Sequence, residues 1–226
     1  DWLKAQGVNI NTPLPEAPAV VLVAVKPQMM GEALPAIKAL GGGRSLFVSV
    51  AAGTSIASFE SVLGGGTPIV RAMPNTPAAI RQGITALIGN ATASDADIAL
   101  AENLLSAVGE TVRLDSEAQM DAVTGLSGSG PAYVFHLIET LAAAGEAQGL
   151  PTDLAMRLAK ATVAGAGALA VAAEEDPSQL RVNVTSPNGT TQAALEVLMH
   201  SEDGFPNLLH RAVKAATDRS KELSRE

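Results

Sequence analysis

Apolar positions along this chain change their period near its middle. Before about residue 116 they fall in short continuous runs. Ala19-Val20-Val21-Leu22-Val23-Ala24-Val25 is β-branched and of strand length, as a strand buried on both faces requires. Residues 45–50 and 68–73 repeat the pattern, 84–88 give a fourth run, and 111–114 a short last one. Between them, 29–40, 56–63 and about 94–108 carry helical spacing. Strand, helix and strand in this rhythm predict a doubly wound parallel α/β sheet. After residue 120 the pattern is helical almost throughout. One helix opens at Gly128-Ser129-Gly130-Pro131, with Pro131 suited to a first helical turn, and runs to Gly149. The next opens at Pro151-Thr152-Asp153 and continues to about Glu174; others follow Thr191 and Pro206. The predicted domains are 1–117, α/β, and 118–226, all helical.

Polar turns containing Gly or Pro sit at the carboxyl ends of the first three strands, where sheets of this kind bind ligands: Lys26-Pro27-Gln28, Ala52-Gly53-Thr54 and Pro74-Asn75-Thr76-Pro77. Gly41-Gly42-Gly43 and Gly64-Gly65-Gly66 follow helices instead and read as connectors. A dinucleotide fold opens with a strand, a glycine-rich turn and a helix. No such turn precedes Val20, and Gly7-Val8-Asn9-Ile10 reads as a later element. The first βα unit is therefore expected to be missing, with the chain starting inside its nucleotide-binding domain.

In the helical half, Val184-Thr185-Ser186-Pro187-Asn188-Gly189-Thr190-Thr191 interrupts two helical patterns. It feeds a helix whose apolar face is Ala194, Leu195, Leu198 and Met199. Gly189 permits close backbone approach, and Thr190 or Thr191 is expected near the cap. Unpaired amides and the positive helix end make such a place a receptor for a carboxylate; the plain alternative is an ordinary capped helix start. Ala159, Val163, Ala166 and Ala170 form a small-residue face that invites close contact with another chain.

Composition narrows the chemistry. The chain has 226 residues, 47% of them apolar but only 3% aromatic, so its core must be built from Ala, Val, Leu and Ile. A net charge of −8 argues against nucleic-acid and anionic-membrane partners. The absence of cysteine excludes disulfides and thiolate chemistry. His136, His200 and His210 lack ligand spacing and fall within helices as surface or satisfied residues, so no metal is expected. Asp1-Trp2-Leu3-Lys4 does not open a secretory leader, and the apolar run 161–173 is too short and too rich in Gly and Ala to span a bilayer; a cytoplasmic protein is expected.

Four blocks together resemble one family: Ala24-Val25-Lys26-Pro27-Gln28, Arg71-Ala72-Met73-Pro74-Asn75-Thr76-Pro77, Gly125-Leu126-Ser127-Gly128-Ser129-Gly130-Pro131-Ala132-Tyr133, and 184–191. In this order, and over nearly the whole length, they are similar to pyrroline-5-carboxylate reductases. The resemblance implies a Rossmann-type N-terminal domain and an all-α C-terminal dimerisation domain that pairs two copies, with larger assemblies left open. It implies NADPH, with NADH possible, as hydride donor, and 1-pyrroline-5-carboxylate as substrate. Ala24, Val25, Lys26 and Pro27 become the strand-end turn against the cofactor. Asn11 is placed near the adenosine, and Ala52 on the nicotinamide side. Met73, Pro74 and Asn75 line the same crevice. Gly128-Ser129-Gly130 brings helical-domain backbone towards it or serves as a packing turn. The hydroxyl of Thr191 meets the ring nitrogen, and the backbone of Ser186, Asn188, Gly189 and Thr190 holds the carboxylate. Asn183 lies near the nicotinamide and Glu174 near the substrate amine, although Glu174-Glu175-Asp176 on its own reads as a solvated helix end. Asn188-Gly189-Thr190 departs from the Gly-Gly pairs of many relatives, a change that Asn tolerates because it accepts left-handed angles. Without His, Lys or Cys in the loop, the imine is expected to arrive protonated, or to take a proton through water, with Thr191 positioning it. Another imine or β-hydroxyacid reductase, for which Lys160 is the candidate helical lysine, and an inactive dimerisation module remain as alternatives.

Overall fold

A computed structural model describes residues 2–43 and 45–224, apart from the side chain of Pro27. The chain divides into two compact units: residues 1–123 with 220–226, and residues 124–219.

In the first unit a short helix α1 (Trp2–Ala5) precedes a sheet whose strands are β1 (Val20–Val23), β2 (Leu46–Ser49), β3 (Ile69–Met73), β4 (Gly83–Gly89) and β5 (Gly109–Arg113), side by side in chain order. Period-two alternation sends neighbouring residues to opposite faces. Phe47 and Ile69 face α2 (Met30–Ala36) and α3 (Ile56–Leu63) in one core with Val23, Leu34 and Phe59. Leu46, Val48 and Val70 face the other way, towards Ala101 of α4 (Asp95–Leu105). Helices cover both faces, which is why β2 and β3 carry apolar residues at nearly every position.

One prediction about direction is overturned. β1, β2 and β3 are mutually parallel, but β4 runs antiparallel to β3, with Ala72 opposite Leu87, and β5 is parallel to β4. Residues 74–82, coiled into a 3-10 turn (Thr76–Ile80), link β3 to β4. They are too few for the crossover of about a dozen residues or more that a parallel pair needs. The helix predicted over 29–40 is also shorter. Pro35, which cannot donate to the helical ladder, sits one residue before its end, and 3-10 turns flank it. The helix over 56–63 lies as predicted, with Ser55 capping the Ser58 amide and Gly64, at φ +90°, ending it.

Asn90 locks the reversed strand in place. Its Oδ1 accepts from the amides of Ile69 (3.0 Å) and Ala93 (3.0 Å), while Nδ2 donates to Glu60 Oε1 (2.8 Å) and the Thr67 carbonyl (3.0 Å). Every polar position of a buried side chain is thus matched. At the other end of α4, Arg113 of β5 donates twice to Glu102, at 2.7 and 2.6 Å. This pairing holds the Glu102 carboxyl below its ordinary range, chiefly through the hydrogen bond.

After β5, α5 (Met120–Val123) is followed by the second unit, which opens on a π turn, Thr124–Gly128, closed by a bond from the Ser129 amide to the Thr124 carbonyl (2.8 Å). Then come α6 (Gly130–Ala147), α7 (Thr152–Ala172), α8 (Pro177–Asn183), α9 (Thr190–Leu198) and α10 (Phe205–Leu223). The residues of α5 and the last four of α10 belong to the first unit. α8 was not anticipated, since its polar sequence carries no apolar face. Helices α6 and α7 pack through Ala142, Ala155 and Ala159. The small-residue contact assigned to another chain is thus partly made within this one. Other apolar side chains find no cover inside the unit: Phe135 is 59% exposed, Leu158 48% and Val171 81%. Among the described residues α7 is the one helix long and apolar enough to cross a membrane, longer than the run judged too short. A helix lying against a partner copy passes the same test.

Two outcomes are expected. Asn90→Ala leaves the buried Ile69 amide without its acceptor, at about 1–3 kcal/mol, while the Ala93 amide keeps the backbone carbonyl of residue 90, so the thermal midpoint should fall by roughly 2–12 °C; a midpoint equal to wild type would contradict the locking role. The lowered Glu102 value means that its stabilisation is complete above the ordinary carboxylate range and is lost as pH falls through the native value. The midpoint difference between wild type and Arg113→Gln should therefore be largest at neutral pH and shrink on acidification.

Candidate active site

The parallel register of β1, β2 and β3 sets Val23, Ser49 and Arg71 side by side, so the turns that follow these strands share one edge of the sheet. The first turn is Ala24-Val25-Lys26 and the 3-10 turn Pro27–Met29. Val25 packs inward on the core, while Ala24 and Lys26 face solvent. The side chain of Pro27 lies outside the described residues. The second turn holds Ala52 between buried Ala51 and Gly53, whose φ of +75° disfavours any residue with a Cβ. Leu223 lies against Gly53, its Cβ 3.6 Å from where a glycine Cβ would stand. Met73, Pro74 and Asn75 form the third turn, all half-buried. Asn75 Oδ1 accepts from the Ile84 amide at 3.0 Å, so this side chain secures the start of β4. Two small side chains, Ala24 and Ala52, and one cation, Lys26, thus stand at adjacent strand ends. That donor set suits a flat ring with an anionic tail. Asn11 lies in the segment before β1 in left-handed conformation (φ 55°), lining a shallow hollow with Asn9, Thr12 and Pro13. Among the described residues it makes no hydrogen bond to the three turns.

In the second unit, 184–191 becomes a tight turn that launches α9. The Gly189 amide donates to the Ser186 carbonyl at 3.0 Å, and a Cβ on Gly189 would press on that oxygen. Asn188 is left-handed (φ 57°), as its type permits. Thr190 is the first helical residue, next to the cap as expected, and the cap itself is Gly189, which has no side chain to offer. Gln192 takes the Asn188 amide through Oε1 (2.7 Å), a residue outside the helix. The amides of Thr190, Thr191 and Gln192 are therefore left without an intrahelical or capping partner at the positive end of α9. Thr191 is half-buried beside them, and nothing among the described residues bonds its hydroxyl. Asn183 ends α8, with Oδ1 accepting from Gln179 at 2.8 Å. Glu174 sits in the exposed turn between α7 and α8 and has no hydrogen bond to the 186–191 loop. The first residue of the block 125–130 serves packing within its unit. Gly125 is buried where a side chain would collide with Thr217 of α10, and its carbonyl accepts from the Tyr133 hydroxyl at 2.8 Å.

A pair of residues not anticipated as functional stands behind the second turn. Arg71 is buried on β3, and its Nη1 donates to Glu117 Oε1 at 2.6 Å. The same oxygen accepts from the amide of Ile56, first residue of α3, at 2.8 Å. A single arginine in an otherwise apolar strand was the signal for such a partner, because a buried charge needs one.

A family model described as pyrroline-5-carboxylate reductase dimerisation matches residues 117–223. The pyrroline-5-carboxylate reductase of Pseudomonas aeruginosa is 47% identical over 207 residues, covering 92% of this chain and 75% of that protein. The solved structure of a pyrroline-5-carboxylate reductase from Coxiella burnetii is 40% identical, with a TM-score of 0.86 over 91% of this chain and 76% of its own. The pyrroline carboxylate reductase of Plasmodium falciparum, crystallised with NADP bound, is 30% identical, with a TM-score of 0.82 over 91% of this chain and 77% of its own. With that kinship over nearly all of its length, the chain belongs to the pyrroline-5-carboxylate reductase family.

Proposed function

We propose that this protein reduces the C=N bond of 1-pyrroline-5-carboxylate to give L-proline, the last step of proline biosynthesis, with NADPH as hydride donor and NADH as an alternative. The observation that carries this reading is the 47% identity to the Pseudomonas enzyme across 92% of the chain. In it the first unit is the dinucleotide-binding domain and the second binds substrate and pairs two copies, the protein working as a cytoplasmic homodimer. The family model for that region is a dimerisation one, and the uncovered apolar side chains of α6 and α7 offer the surface.

The resemblance to the family and the place of each residue group in the fold suggest its task. The turns Ala24–Lys26, Ala52 and Met73–Asn75 receive the cofactor along the carboxyl edge of the sheet, where Lys26 places a cation for its phosphate or ribose. Asn11 serves the adenosine side and Asn183 the nicotinamide side. When bound, the dihydronicotinamide supplies the hydride. The substrate carboxylate is received by the amides of Thr190, Thr191 and Gln192 at the start of α9, a helix end that favours an anion. The turn Ser186–Gly189 shapes the approach to those amides, and Glu174 stands by for the cationic nitrogen. The Thr191 hydroxyl, which no neighbour occupies, orients that nitrogen by hydrogen bonding. A threonine hydroxyl is a weak acid at neutral pH, so its task is alignment of an imine that enters protonated or takes its proton through water.

Oxidation of NADPH by the dimeric protein in the presence of 1-pyrroline-5-carboxylate is the direct test; a folded dimer that leaves NADPH untouched overturns the reading. Thr191→Ala should reduce kcat/KM roughly 10- to 100-fold, since a hydrogen bond to a charged group contributes about 1.5–3 kcal/mol. Thr191→Ser, which keeps the hydroxyl, should recover most of it. Equal kinetics in Thr191→Ala and wild type would remove Thr191 from the site.

A further inference from the structure

The turn that carries Ala52 is gripped from outside its own sequence. On one side Leu223 packs on Gly53. On the other, Glu117 Oε1 holds the Ile56 amide at 2.8 Å, directly after the turn ends at Ser55. Glu117 is in turn fixed twice. Arg71 donates to it at 2.6 Å from the middle of β3. Behind it, Ser116 and Gln119 form a capping box: the Ser116 hydroxyl accepts from the Ala118 amide, and Gln119 Oε1 accepts from the amides of Asp115 (3.1 Å) and Ser116 (3.2 Å). Met120, 1% exposed, anchors the same stretch. A carboxylate seated this firmly sets where α3 begins, and therefore where residues 51–55 lie.

We propose that Glu117 is a positioning residue for hydride transfer: through the Ile56 amide it fixes the Ala52 turn against which the nicotinamide ring rests. The inference depends on the function proposed above. Arg71 acts one step further back, holding the carboxylate side on to the helix start. No role in binding the adenosine or phosphate part of the cofactor follows from this, since Glu117 touches the turn beside β2 and leaves the turn after β1 alone. Loss of the contact should therefore appear in the chemical step, with cofactor affinity unchanged.

Deleting the carboxylate in Glu117→Ala strands the Arg71 charge, so a second variant isolates the contact. Ile56→Pro removes the donating amide, together with part of a buried side chain, and keeps the ion pair. Ile56 is the first helical residue, a position that accepts proline, and Ser55 before it is already extended (φ −78°, ψ 159°). Ile56→Val trims the same buried side chain while retaining the amide, and reports the packing loss alone. NADPH sites are titrated by fluorescence in each dimer, and kcat is expressed per titrated site, so that unfolded protein does not count. Ile56→Pro, and Glu117→Ala where it folds, should lower kcat per site on the order of 10- to 100-fold, the effect of a small misplacement of reacting groups, with the NADPH Kd and the KM for pyrroline-5-carboxylate unmoved. Ile56→Val should behave as wild type. Wild-type kcat per site in Ile56→Pro, or an equal fall in Ile56→Val, overturns the positioning role while leaving the function standing. A wild-type dimer that neither binds NADPH nor turns over overturns both.

Discussion

Arg71 is buried in the middle of β3, with 6% of its side chain exposed, and a full charge in that setting is strongly destabilising unless an opposite charge meets it with good geometry. Glu117 meets it from 46 residues further along the chain. The same carboxylate oxygen also holds the first amide of α3, so one acid joins a strand, a helix start and the turn that follows β5. Removing Glu117 would leave the buried Arg71 charge uncompensated, a loss that reaches about 3–5 kcal/mol in a fully buried pair and is smaller here because Glu117 is partly exposed. The carboxyl edge of β1, β2 and β3 takes its shape within this constraint, since the turn between β2 and α3 is held at its far end by Glu117.

The reversal of β4 is the second condition. An all-parallel continuation would place another crossover beside β3, whereas a short antiparallel return leaves Met73–Asn75 as an uncluttered strand end. Asn75 serves both sides of this arrangement: its backbone carbonyl closes the 3-10 turn onto Ala78 at 3.1 Å, and its side chain takes the Ile84 amide. At the opposite edge, Asn90 closes the return with four hydrogen bonds. Two asparagines, one at each end of β4, thus do with side-chain amides what a longer connection would do with a helix.

Much of this was legible in the sequence where the cause is local. Ser55 and Gly64 bound α3 because a serine cap and a glycine of positive φ are readable signs, and the apolar runs of β2 and β3 stand out because both faces are covered, whereas β1, read as buried on both faces, leaves Leu22 59% exposed. Strand direction was not legible from periodicity, which is the same for either direction. The length of 74–82 held that information. The helix after the 184–191 loop starts at Thr190, two residues before Gln192, where its apolar spacing becomes readable, because a first turn of two threonines carries no apolar stripe. The Arg71–Glu117 pair was missed because its partners lie far apart in sequence, and 116–120 read as a domain boundary. α8 was missed because a polar helix has no stripe to detect.

The choice of glycine at the start of α9 bears on how the proposed substrate is held. A Ser, Asp or Asn at that position would take one of the orphan amides and stabilise the helix by about a few tenths of a kcal/mol relative to glycine. Here Gly189 offers no such group, and Gln192 turns its oxygen back to Asn188, outside the helix. The helix forgoes its own cap, and the amides of Thr190, Thr191 and Gln192 stay available to an anion. Left-handed Asn188 and the close approach of Gly189 to the Ser186 carbonyl shape the turn just before those amides. A loop that stabilised only the fold would have closed on itself; this one leaves its strongest donors open, beside a threonine hydroxyl that is also unoccupied, which is the arrangement a small carboxylate bearing an imine needs.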